Sequence, residues 1–225
     1  MSNTKKQSQL LELIILITII IVSIILWETY VIYPIKIMVV LLHEISHGIA
    51  AILTGGKIIE LNIALDLSGM CKIEDGNSII IASSGYFGSL LFGMLLFYSS
   101  INKKFSQIVL PIISGIIIIF LINSSKNELL ILITTLVLIL LLVIIYKAPK
   151  LISSIILKAL GIISCIYVLI DIKQDIFDST SSYSDASMLA ELTGIHQVIW
   201  GLIWLGLSII GILYLLKLSY KSKFN

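Results

Sequence analysis

His43-Glu44-Ile45-Ser46-His47 sets two imidazoles four residues apart, with a carboxylate next to the first. On a helix, positions i and i+4 share one face, so His43 and His47 can grip a single metal ion together. Glu44 is offset around the helix and reaches the space beside the ion without being a ligand. There it can take a proton from metal-bound water and pass it to a leaving amine. Zinc is the expected ion, because catalytic zinc commonly uses three protein ligands and keeps a fourth position open. The chemistry this spacing points to is metal-assisted hydrolysis.

The motif sits in membrane-like surroundings. Of the 225 residues, 58% are hydrophobic and only 12% charged, and the mean hydropathy is +1.11. A soluble chain averages ~45–50% apolar and ~25% charged residues. Too few polar groups remain to cover a water-exposed surface, which excludes a soluble enzyme, a disordered chain and a secreted disulfide scaffold. Fifteen lysines against thirteen acidic residues leave a net charge of +2. With no long basic block, nucleic acid is not an expected partner. Cys71 falls in a polar loop and Cys165 in an apolar run, so neither a disulfide nor a cysteine metal site is expected. An ionisable side chain at membrane depth costs ~2.5–3.5 kcal/mol. Three on one apolar helix, using two of the three histidines, need a reason.

Seven apolar runs are long enough, or nearly so, to cross a bilayer: about 10–33, 34–54, 78–99, 107–122, 128–146, 151–170 and 197–217. The first is too long for a signal peptide and is read as a retained span. The 107–122 run is short, and is expected to be tilted, re-entrant or buried in protein. Pro34 opens the motif helix and Gly55-Gly56 closes it. The predicted fold is an all-α polytopic membrane protein of about six to seven transmembrane helices, one domain over 1–225. It carries a small membrane-surface β-hairpin at about 57–74. Ile59, Leu61, Ile63, Leu65 and Leu67 alternate there with polar residues, the period of a half-buried strand, and Ser68-Gly69 turns the chain back. His47 lies eight residues before Gly55, roughly 12 Å inside the helix end, so the ion would sit below the membrane surface.

A third ligand must reach the ion from the same side. Four expected spans separate the motif helix from the acidic segment 171–196, and an even number returns the chain to the face where the His47 end emerges. Asp185, placed as the N-cap of a short helix, is the first choice, and Asp171, at the end of an apolar span, the second. Asp175 and Asp178 follow, and His196 is read as interfacial.

These features together resemble the site-2 protease family of intramembrane zinc metalloproteases, in its compact bacterial-type branch without a PDZ domain. The residues concerned are HEISHG at 43–48, Gly55-Gly56 with the strand after it, Ser84-Gly85-Tyr86-Phe87-Gly88, and Ser184-Asp185-Ala186 with Leu192-Thr193-Gly194 and Trp200-Gly201. The resemblance covers about 34–93 and 171–204. It implies that His43 and His47 bind zinc, that Glu44 is the general base and that an aspartate completes the site. It also implies an active site nearer the cytoplasmic side of a bacterial cell membrane. The family's Asn-Pro…Asp-Gly motif is absent, and Asp185-Ala186 stands as its equivalent. By the family's analogy the substrate is a membrane protein or membrane peptide, such as an anti-sigma factor or a leftover signal peptide.

Two further features are candidates for substrate binding. Gly85, Ser89 and Gly93 form a small-residue stripe that lets helices approach closely and shape a pocket. The strand carrying Ile59, Leu61 and Ile63 offers an edge that could hold an unwound substrate by main-chain hydrogen bonds. Lysines 5 and 6 favour a cytoplasmic N-terminus, while seven spans would then put the lysine-rich tail outside, against the same rule. The rival reading is a non-catalytic membrane protein of the same fold that binds or chaperones membrane partners. A transporter is weaker still, since no inverted repeat is visible.

Overall fold

The computed structural model describes residues 3–64, 66–177 and 184–221. In chain order these form α1 (Asn3–Ile25), α2 (Tyr33–Leu53), β1 (Lys57–Ile63), β2 (Gly69–Glu74), α3 (Ser78–Ile101), α4 (Lys103–Ser124), α5 (Glu128–Lys147), α6 (Lys150–Phe177), α7 (Asp185–Thr193) and α8 (Gln197–Lys221).

Helix boundaries fall where the sequence places polar caps in the apolar runs. Asn77, Asn102 and Asn127 each accept from backbone N–H groups in the first turns of α3, α4 and α5. Such bonds satisfy donors that a helix start leaves orphaned. Pro34 sits in the first turn of α2, where its missing N–H costs nothing. At the far end of α2, Gly55 adopts φ +88° and the Gly56 N–H bonds to the Ala51 carbonyl at 2.8 Å.

Among the described residues, six helices are long and apolar enough to cross a membrane: α2, α3, α4, α5, the 150–173 part of α6 and the 197–220 part of α8. Two expectations change. The first run does not continue to Tyr33. Its helix stops at Ile25, residues 26–32 form turns, and the apolar part of α1 is shorter than a full span. Glu28 and Thr29 interrupt the apolar pattern there. Lys36 also anchors the turn, donating to the Trp27 carbonyl at 3.0 Å with its ammonium 4.8 Å from the centre of the Trp27 indole. The run at 107–122 is not short either. The Asn102 cap starts α4 at Lys103, giving 22 residues with Pro111 inside the helix.

Burial separates centre from rim. The most apolar stretch of α2 is 78% buried, that of α5 only 22%. Leu132, Leu136, Ile139 and Leu140 of α5 point outward, as in a helix that faces lipid. Helix α3 is central and packs on α2, α4, α6, α7 and α8. The small-residue stripe divides between two neighbours. Gly85 and Gly88 lie against His43 and Ser46 of α2, whereas Gly93 meets α6. A Cβ added at Gly93 would come within 2.7 Å of the Gly161 carbonyl oxygen, and one at Gly161 within 2.6 Å of the Gly93 oxygen. These backbones touch because neither residue has a side chain.

The hairpin pairs β1 with β2 in antiparallel register, with an irregularity between Ile58 and Glu60. That bulge breaks the expected strict alternation. Ile59 is 43% exposed, while Leu61 and Ile63 are buried in the main core beside α2 and α4. Leu65 lies outside the described residues. Around the turn, Asp66 Oδ1 accepts from the Ser68 hydroxyl and backbone N–H at 2.7 and 2.9 Å, which holds its carboxyl below the usual range.

Candidate metal centre

The middle of α2 brings His43 and His47 to one face, as the four-residue spacing requires, and both are buried. Their Nε2 atoms are 3.1 Å apart. Asp185 Oδ2 lies 3.2 Å from His43 Nε2 and 3.1 Å from His47 Nε2. The three atoms form a nearly equilateral triangle. A tetrahedral ion with bonds of 2.0–2.2 Å needs ligand atoms roughly 3.3–3.6 Å apart, so the triangle is a slightly contracted face of such a site.

The hydrogen bonds around the triangle leave two of its atoms, His47 Nε2 and Asp185 Oδ2, as acceptors. His47 Nδ1 lies 2.7 Å from the Ile81 carbonyl oxygen. A carbonyl only accepts, so the proton sits on Nδ1 and the Nε2 lone pair faces the cluster. Asp185 Oδ2 is buried and, among the described residues, has no hydrogen-bond partner. Buried acceptors that converge repel one another and lose their hydration. A cation in their midst removes both costs, so the residues present fit a divalent metal. Two imidazoles and one carboxylate are a donor set suited to zinc.

Asp185 reaches this point because another residue does the capping. Ser184, not Asp185, is the N-cap of α7, in a reciprocal capping box with Ser187. Asp185 occupies the first helical position, where its carboxylate is free to turn toward the histidines. Asp171, on α6, is not in the triangle. Its Oδ2 lies 3.7 Å from His43 Nδ1, the nitrogen on the opposite side of the ring. The Asp175 side chain and Asp178 lie outside what the structure describes. His196 is exposed at the start of α8, where its Nδ1 accepts from the Val198 N–H.

A cavity of about 660 Å3 opens on the triangle. It is lined by Glu44, by Tyr167 and Asp171 of α6, and by the hairpin from Asp66 to Cys71. Glu44 is 8% exposed and its carboxylate rests on the backbone of Gly69, where any side chain would collide with it. The strand bordering the site is therefore β2. Ile59, Leu61 and Ile63 of β1 do not line the cavity, nor does Gly85. Gly85 instead makes room for the histidines, since a Cβ there would lie 2.5 Å from both Nε2 atoms. Both thiols are free. Burial, with the Glu44 charge adding to it, pushes the Cys71 thiol up to about 12.

Four roles were not read from the sequence: Gly69 beneath Glu44, the Ile81 carbonyl behind His47, Ser184 as the cap and Tyr167 beside Asp171. A Ser-x-x-Ser around Asp185 and a Tyr four residues before Asp171 were readable signals. A backbone carbonyl has none.

A multi-pass integral membrane protein with a buried ligand triangle beside a carboxylate that lines a cavity is the class that fold and site define. The model of the family described as Peptidase M50B-like matches residues 16–215. The chain belongs to that family, the site-2 proteases, which are membrane metalloproteases. No curated protein and no solved structure matches it.

Proposed function

We propose that this protein is an intramembrane zinc endopeptidase of a bacterial cell membrane, a single catalytic domain that hydrolyses peptide bonds of membrane-embedded proteins or peptides. The observation that carries the reading is the triangle that Asp185 completes with His43 and His47, beside Glu44 on a membrane helix of a peptidase-family chain. His43, His47 and Asp185 would hold the zinc. Zinc, when bound, polarises a carbonyl and makes water a competent nucleophile at neutral pH.

The remaining work falls to the chain's own residues. Glu44 accepts a proton from the attacking water and delivers it to the leaving amine. Gly69 lets the hairpin close against that carboxylate, which fixes its position and sheds bulk water. The β2 strand and its turn form one wall of the cavity, where an unwound substrate stretch can lie extended. Unwinding is needed because the carbonyls of a membrane helix are bonded internally.

The test compares purified wild type with Glu44→Gln on a library of transmembrane peptides in detergent. Wild type is expected to cut a subset and Glu44→Gln to bind zinc equally but cut none. Equal cleavage by both proteins overturns the reading.

A further inference from the structure

The two histidines of the centre are held differently. His47 is oriented by a backbone carbonyl at 2.7 Å. Among the described residues no backbone carbonyl is bonded to the His43 ring. The polar atoms around its Nδ1 are Ser89 Oγ at 3.4 Å and Asp171 Oδ2 at 3.7 Å. Asp171 is in turn held by Tyr167, one helical turn earlier on α6, whose hydroxyl donates to Oδ1 at 3.2 Å. That leaves Oδ2 for the imidazole. The Tyr167 ring also packs edge-on against His43, with ring centres 5.6 Å apart. His43 thus has a carboxylate at each nitrogen, Asp185 on Nε2 and Asp171 on Nδ1.

We propose that Asp171, braced by Tyr167, is a positioning residue of the centre: it holds the proton of His43 on Nδ1 and so directs the Nε2 lone pair at the ion. This inference rests on the zinc reading above. An ionised acceptor binds an N–H about twice as strongly as a neutral one, so the carboxylate rather than the Ser89 hydroxyl decides the tautomer. A ring whose outer N–H faces a carboxylate is also the more basic ligand. At 3.7 Å the pair is an electrostatic contact rather than a formed hydrogen bond, and the carboxylate's charge still favours the proton on the nitrogen that faces it. The placement has a structural cause. Gly93 and Gly161 seat α6 directly on α3, which brings the end of α6 to the site that α7 completes.

The test is zinc affinity of the full-length chain in detergent, measured by competition with a chelator and read alongside the Tm of the metal-free protein. Asp171→Leu is expected to weaken zinc about 10–100-fold, as loss of such a partner does elsewhere. Asp171→Asn keeps an acceptor and is expected to fall between Leu and wild type. Ser89→Ala is expected to cost less than either. If Asp171→Leu lowers the metal-free Tm, Tyr167→Phe decides the matter, because it removes one hydroxyl and must weaken zinc at unchanged Tm. Asp171→Leu and Tyr167→Phe binding zinc as tightly as wild type would overturn the proposal, as would a larger loss from Ser89→Ala. A wild type that binds no zinc at all would instead remove the zinc reading on which the proposal stands.

Discussion

The Ile81 carbonyl stands 2.7 Å from His47 Nδ1, so the first turn of α3 sets the tautomer of a histidine on α2. The same helix supplies Gly85, whose missing side chain gives both imidazoles their space. The candidate centre is therefore a product of how α2 and α3 pack, and its properties should respond to substitutions that remove no ligand.

Gly85→Ala is the sharpest of these. Its Cβ would lie 2.5 Å from both Nε2 atoms, so the ring pair must open or α3 must move. Overpacking of this kind costs typically about 1–3 kcal/mol. Metal content after dialysis is expected to fall to background. Gly115→Ala on α4 meets nothing within 4 Å and serves as the control, with zinc retained and Tm unchanged or raised.

Gly69→Ala should separate metal binding from turnover. The new side chain collides with the Glu44 carboxylate, and the three atoms nearest its Cβ all belong to Glu44. Zinc content is expected to stay at the wild-type level while kcat falls. Loss of zinc in this variant would mean that the hairpin holds the ligands rather than Glu44.

Ser184→Ala removes the cap that frees Asp185. Loss of an N-cap costs about 1 kcal/mol of helix stability. The first turn of α7 frays, and zinc affinity is expected to drop although every ligand is intact. Titration against a chelator measures it, and an Asp or Thr at 184 should restore affinity.

Cys71 reports on the charge of Glu44. Its thiol is pushed up to about 12, first by burial and then by that carboxylate. A raised pKa leaves little thiolate at neutral pH, so alkylation at pH 8 is expected to be slow and to quicken as pH rises toward 12. Glu44→Gln removes one of the two causes, which lowers the pKa and speeds alkylation at fixed pH. A rate unchanged by Glu44→Gln would place the carboxylate away from the thiol.

Much of this was legible in the sequence because membrane helices obey simple rules. Residue spacing within α2 already put His43 and His47 on one face. The even number of helices from α3 to α6 returned Asp185 to them, although the first helix and α4 have different lengths from those expected. What stayed hidden depends on contacts between elements. Nothing local marks the Ile81 carbonyl as a histidine partner, and Ser68-Gly69 read only as a turn because Glu44 lies far from it in the chain. The period-two pattern of β1 was real, but one bulge moved Ile59 off the buried face. Leu61 and Ile63 point into the core, so the strand next to the cavity is β2.

The most direct measurement is X-ray absorption at the zinc edge of the purified wild-type chain, with zinc per chain determined on the same sample. The expected result is one zinc per chain, with two imidazoles recognised by their multiple scattering, further oxygen or nitrogen neighbours at about 2.0–2.2 Å and no sulfur, and a clear loss of bound zinc in Asp185→Ala. A sulfur neighbour, fewer than two imidazoles, or wild-type zinc content in Asp185→Ala would contradict it.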